Sequence, residues 1–249
     1  MTARQVPLVS LFLSLFLSLI SGTYHVSATS TPPSKDLNIP TVVDLRIEGQ
    51  NRTIFSGPIR TRGHNVTSAS GVTLHCDGTN NHTNPTPGPT CTSALDDASK
   101  QAGFSWDGEL FTEFDDFLIT RIARSEQTAT EFWGILVDFQ FTPVGGCQQQ
   151  VKHGDKVLFA FNAFNKTHFL SLAGPKAAAV NSSTTFAVTD GASGEKIANA
   201  TVVTLRGGPV GITNADGEVS LEFGKTGIHV VKAFREDSIR SNHVKLVVT

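Results

Sequence analysis

Tyrosine and methionine each occur once and tryptophan twice, against 17 phenylalanines in 249 residues. Phenylalanine carries no polar handle, so most of those rings read as core. Lys and Arg together number 20, Asp and Glu 22, and the formal net charge is −2. No basic run exceeds two or three residues, which excludes a nucleic-acid footprint. There is no C-x-x-C, no H-E-x-x-H and no paired histidine spacing, so no zinc pattern is matched. EF-hand spacing is also missing. A G-x-S-x-G elbow, a phosphate loop and a dinucleotide fingerprint are absent too. Neither a metal, a cofactor nor a catalytic residue is expected, and the chain reads as non-enzymatic.

One long apolar run is present, "VPLVSLFLSLFLSLISG" after Arg4. It falls short of the ~20 apolar residues that a membrane span needs. Val26-Ser27-Ala28 follows with small residues at the cleavage positions. This layout predicts a signal peptide over residues 1–28, with Gly22 as the alternative cleavage point. The last segment, "HVKLVVT", is too short for a lipid-anchor signal. The sequence therefore predicts a secreted, extracellular protein without a membrane anchor, free or retained at the cell wall.

Sequons agree with export. N-x-S/T occurs at Asn51, Asn65, Asn81, Asn165, Asn181 and Asn199, whereas Asn84 is blocked by Pro85. Each is an expected glycosylation site and should mark exposed chain. Three cysteines leave one unpaired in an oxidising compartment. On loop-closure entropy a Cys76–Cys91 bridge contributes ~3 kcal/mol and a Cys76–Cys147 bridge ~4.4 kcal/mol, too similar to choose between them.

Pattern divides the chain. Residues 29–40, "TSTPPSKDLNIP", read as a flexible leader. "TVVDLRIEG" and "RTIFSGPIRTRG" read as a hairpin. "SALDDASKQAG" reads as a helix, with Ser93 as cap, Asp96 and Asp97 in its first turn and Gly103 as stop. "FSWDGELF", "FLITRIA", "FWGILVDFQF" and "KVLFAF" read as further strands. A hairpin, a helix and then strands predict an α+β domain over residues 41–173. From residue 174 to 249 short strands recur between turn signals such as "NADGE" and "GKTG", predicting a β-sandwich domain.

Candidate sites are few. The loop "CDGTNNHTNPTPGPTCTSALDDA" packs cysteines, carboxylates and a histidine together, but turn-forming residues and helix capping account for it. An acidic group of Glu113, Asp115 and Asp116, with Asp107, is the basis of an alternative reading as a polysaccharide hydrolase. Trp106 in "FSWDGEL", and Trp133 with Phe132 in "EFWGIL", are the candidates for stacking on a flat ligand or a sugar ring. On this reading the partner is a small molecule, a glycan or a cell-wall component. A purely structural surface role is the other alternative.

The ordered motifs "CDGTNN…NPTPGPT.TSALDDA", "GFSWDGEL", "FWGILVDFQFTPVGGCQ" and "GDKVLFAFNAFN" together resemble a family of uncharacterised secreted proteins. That family is related to the C-terminal domain of transcobalamin, and the likeness covers roughly residues 40–172. It implies a β-grasp fold, a sheet wrapped around one helix. It also implies that Cys76 pairs with Cys147, leaving Cys91 free to link two chains. No cobalamin-contact motif is matched and no counterpart of the carriers' helical domain is seen, so cobalamin is not the expected ligand. The tail "TDGASGEKIANATVVTLRGGPVGITNADGEVSLEF" resembles immunoglobulin-like modules of the carboxypeptidase-regulatory or prealbumin type, typically non-catalytic.

Overall fold

A computed structural model describes residues 38–249. The expected signal peptide, and all of the expected leader except its last three residues, lie outside that range. Alternation builds the first sheet. In Thr41–Glu48 (β1), Val43, Leu45 and Ile47 take one face while Asp44, Arg46 and Glu48 take the other, as successive strand side chains must. Thr53–Thr61 (β2) returns antiparallel and completes the expected hairpin. His64–Thr67 (β3) and Thr73–Cys76 (β4) form a small separate ribbon.

The helix, Cys91–Ala102 (α1), begins three residues earlier than the sequence pattern suggests. Thr90 is its cap and Ser93 sits at N3, each side chain bonding the other's backbone N–H in a capping box. Asp96 is consequently not in the first turn. It points inward, nearly fully buried. Gly103 ends the helix in the left-handed conformation, φ 71°, which glycine adopts without a Cβ clash.

Trp106–Phe111 (β5), Asp116–Ile122 (β6) and Ser125–Glu126 (β7) form a three-stranded sheet. Trp133–Val137 (β8) and Gln140–Phe141 (β9) replace the single strand expected across "FWGILVDFQF". Asp138 and Phe139 have φ of 47° and 65°, two consecutive left-handed residues that turn the chain back as a hairpin. Lys156–Phe161 (β10) then inserts between β1 and β8, parallel to β1. The resulting sheet runs β2-β1-β10-β8-β9. One face buries Val43, Leu45, Val157 and Phe159 against Ala94, Leu95 and Ala98 of α1. The opposite face presents Leu136, Leu158 and Ala160 to a second cluster, completed by Ala163, Phe169 and Ile239.

The rest of the chain supplies His168–Ala173 (β11), Ala177–Ala178 (β12), Ser183–Asp190 (β13), Thr201–Thr204 (β14) and Val210–Ile212 (β15). Glu218–Glu222 (β16), Gly227–Phe234 (β17), Ser238–Ile239 (β18) and Val244–Val248 (β19) follow. They make two sheets, β16-β13-β11-β18 and β12-β19-β17-β14-β15. Phe186, Val188 and Leu221 of the first meet Val202, Val231, Ala233 and Leu246 of the second. Burying a side chain such as Phe186 contributes about 2–3 kcal/mol.

The expectation of an α+β β-grasp domain followed by an immunoglobulin-like sandwich is overturned. Among the described residues strands account for 47% and helices for 8%, with one α-helix and several sheets, a sandwich-like all-β architecture. The physical reason lies in the parts that the sequence pattern treated as separate. The outer face of the first sheet is itself a packing face. Phe169 on β11 and Ile239 on β18 cover it, so layers continue from the helix through the first sheet to β11 and β18.

Candidate functional site

The loop between β4 and α1 is a stapled structural segment. Cys76 is disulfide-bonded to Cys147, the pairing that the resemblance implies. Asn80, fully buried, donates through Nδ2 to the carbonyls of His75 at 2.7 Å and Asp115 at 2.9 Å. Asn84 donates to the carbonyls of Gly78 and Gln148. Asn80 and Asn84 are thus spent on holding backbone. Cys91 is free but fully buried, and burial above all pushes its thiol well up. A disulfide-linked dimer through Cys91 therefore has no accessible thiolate to form it. The six sequon asparagines, Asn51, Asn65, Asn81, Asn165, Asn181 and Asn199, are all exposed.

The acidic candidates are dispersed. Asp107 Oδ1 accepts from the Ser70 hydroxyl at 2.9 Å and from two backbone N–H groups, and its other oxygen lies 3.6 Å from Arg121. Asp115 accepts from the backbone of Asn81 and lies 3.6 Å from His75. Asp116 is buried and accepts from the backbone N–H groups of Phe117, Cys147 and Gln148. Burial pushes its carboxyl up to about 6, against those hydrogen bonds. Glu113 is exposed. Asp116 stands opposite Phe111 at the far end of β5 from Asp107. At ~3.3 Å rise per residue that separation is about 13 Å, too long for a pair of acids flanking one glycosidic bond.

Neither tryptophan presents a ring face for stacking, which corrects the expected ligand platform. Trp106 is 1% exposed and Trp133 5% exposed. Trp106 packs edge-on against Phe117 and donates its Nε1 to Asp96 Oδ1 at 3.1 Å. Asp96 also accepts from Lys100 at 2.6 Å and lies 3.0 Å from His64 Nε2. Trp133 packs edge-on against Phe161, and its Nε1 has no partner among the described residues. Phe132 is 37% exposed, but with both indoles buried it has no platform to join.

A concavity lies elsewhere, on the outer face of the first sheet. It is a groove of about 760 Å³, between β1, β2 and β10 on one side and β11, the segment just after it and β19 on the other. Strand alternation directs Asp44, Arg46, Lys156 and Leu158 to this face, and the β8–β9 turn adds Phe139. Ser171, Ala173 and Lys176 line the opposite wall with His243, Val244 and Lys245. Asn242 ties that wall together, since its amide exchanges two 2.9 Å hydrogen bonds with the backbone of Leu172. The Arg46 guanidinium stands 5.6 Å from the Phe139 ring centroid, and the Lys156 ammonium 6.0 Å. Both are cation–π distances.

Arg46 also touches a buried ion cluster. Glu48, 1% exposed, accepts from Lys232 Nζ at 2.6 Å and from Arg240 Nε at 2.9 Å. Thr53 and Lys232 are also hydrogen-bonded, and Arg240 donates to the carbonyls of Gly49 and Gln50. Arg46 donates to the carbonyl of Arg240. Desolvation brings the Lys232 ammonium down to about 8, although Glu48 opposes the shift. His243 is also held below its ordinary value, first by burial and then by Lys232. Arg46, Lys232 and Arg240 thus gather around one glutamate, and of these Arg46 also lines the groove.

No pattern short of the folded sheets reveals this site, because its residues run from position 44 to position 247. No family model and no curated protein matches the chain. Among the described residues no helix is long and apolar enough to cross a membrane, and no cluster of three or more metal-ligating side chains occurs.

Proposed function

We propose that this chain is a secreted, glycosylated, non-catalytic binding module, and that the groove over β1 and β10 is its ligand site. The groove itself carries the reading. It is within the ~300–1,000 Å³ range of small-molecule sites, and it combines apolar walls with a few polar groups that converge on it. Export is supported by the apolar leader with its cleavage signal, the disulfide and the exposure of all six sequon asparagines. The hydrolase alternative lacks such support, since Asp107 and Asp116 lie at opposite ends of one strand pair. The family resemblance lends this reading no weight, because the fold it implies is not the one the chain adopts.

The test is expression of the full chain in a eukaryotic secretory host. Mass spectrometry of the medium should find protein cleaved near Ala28 and glycosylated. Thermal-shift screening against a small-molecule panel should then find stabilising ligands whose effect disappears in Ala173→Trp, an exposed groove position filled by a large ring. Retention in the cell with the leader uncut would overturn the export reading. Equal shifts in wild type and Ala173→Trp would overturn the groove, and a panel without any stabilising compound would favour a purely structural surface role.

A further inference from the structure

The chain as a whole carries a formal charge of −2, but the groove does not share that sign. Arg46, Lys156, Lys176 and Lys245 line it, against the single carboxylate of Asp44, with His243 beside them. Lys156, Lys176 and Lys245 are exposed, and among the described residues none of the three is in an ion pair. Arg46 is different in kind. It is 8% exposed, fixed by its hydrogen bond to the Arg240 carbonyl and by the Phe139 ring. Its guanidinium is thus a fixed positive charge at the wall, with one N–H committed to the Arg240 carbonyl, where a carboxylate or phosphate can be met. The remaining walls are apolar, with Leu158, Phe139 and Val244 among them.

Resting on the groove as the ligand site, we infer that its ligand is a small organic anion: a carboxylate, sulfonate or phosphate head on an apolar body. The head meets Arg46 and the three lysines, and the body lies along Phe139, Leu158 and Val244. Low-dielectric walls strengthen such an attraction relative to open water.

The experiment uses two fluorescent probes of nearly the same shape on the full secreted chain. One is 8-anilinonaphthalene-1-sulfonate, and the other is its uncharged relative N-phenyl-1-naphthylamine. The sulfonate should bind at least tenfold tighter than the neutral probe at 20 mM salt, and 500 mM salt should remove most of that preference. Lys156→Gln, Lys176→Gln and Lys245→Gln combined should weaken the sulfonate about tenfold and the neutral probe less than twofold, as for three exposed charge interactions. All three lysines are exposed, so the triple variant should keep the wild-type melting temperature.

The failures separate. If both probes bind equally and both are displaced by Ala173→Trp, the anion inference is wrong and the groove survives as a site. If Ala173→Trp changes neither probe, the groove itself is wrong. If an oligogalacturonate competes far more strongly than the sulfonate, with the same lysine dependence, the occupant is an acidic glycan and the apolar body is refuted.

Discussion

Replacing Glu48 by Gln keeps the shape of the side chain and removes one negative charge. In the folded chain that charge is 1% exposed and faces Lys232, itself 2% exposed, at 2.6 Å. Arg240 contributes a second contact at 2.9 Å. Arg240 keeps the carbonyls of Gly49 and Gln50 after the substitution, so most of the loss falls on Lys232. Breaking a buried pair by removing one partner typically costs about 3–5 kcal/mol, because the other charge stays buried without compensation. For a chain of this size that corresponds to a melting temperature about 6–20 °C lower. The companion variant is Glu48→Gln with Lys232→Met, which removes both charges and fills the same space. It should recover at least half of the loss, since an apolar replacement of a buried pair is often neutral.

Proton linkage gives an independent readout of the same cluster. The Lys232 ammonium is held near 8 mainly by burial, against an ordinary 10.5. Between those values the unfolded chain binds more protons, so this group makes stability rise with pH from about 8 to 10.5. Above its ordinary value of 9.0, the buried Cys91 thiol pulls the other way, because it stays protonated only in the folded chain. The comparison is therefore between wild type and Lys232→Met by chemical denaturation across pH 7 to 10, where the difference isolates the lysine. In Glu48→Gln the attraction that opposes the shift is gone, and the rise should begin at lower pH. A single variant that loses less than about 1 kcal/mol, or a double variant no better than the single, would refute the account of Glu48 as the counter-charge of a buried lysine.

The other predictions are simpler. Removing the Cys76–Cys147 bridge by Cys→Ser at both positions opens a loop with a sequence separation of 71, and denaturation should register a loss of about 4 kcal/mol. Cys91 should react with a thiol reagent only once the chain is unfolded, and non-reducing electrophoresis should show monomer; ready labelling of the native protein would contradict its burial. The His64–Asp96 contact should make stability depend on pH at both ends. The hydrogen bond that His64 donates to Asp96 holds the imidazole above its ordinary 6.5, so its contribution is full below that value and is lost as pH rises through the folded one. Burial works to raise the Asp96 carboxyl, but bonds from His64, Lys100 and Trp106 hold it below 3.8, so its contribution is lost as pH falls through the folded value. Asp96→Asn should abolish both effects in a pH series of melting curves. Finally, both indoles should emit at short wavelength and resist quenching by iodide, and a quenchable tryptophan would show that one ring is exposed.

Periodicity carried the local elements because it is set by neighbours in the chain. The alternation of Val43, Leu45 and Ile47 reports a strand with one core face, and the stop at Gly103 reports the backbone geometry that follows a helix. The cap was displaced because Thr90 and Ser93 form a reciprocal pair, and Pro89 before them gives no hint of it. The fold class failed for a related reason. Leu158 and Ala160 are apolar on a strand whose other face is also apolar, and such a run shows only that β10 is buried on both sides, not what buries it. The groove was less legible still. Lys156, Lys176 and Lys245 each read as one more solvated charge in a chain of balanced composition, and Arg46 as the polar side of a half-buried strand. They become a site only when β10 lies parallel to β1 and the chain returns through β19 to form the facing wall. The tryptophans misled for the opposite reason. An indole signals a need for burial and one hydrogen bond, and Asp96 supplies that bond to Trp106 inside the core. The tryptophans of this chain therefore mark packing, and its dispersed charges meet in one groove, because pairing across the sheets decides which side chains face the same space.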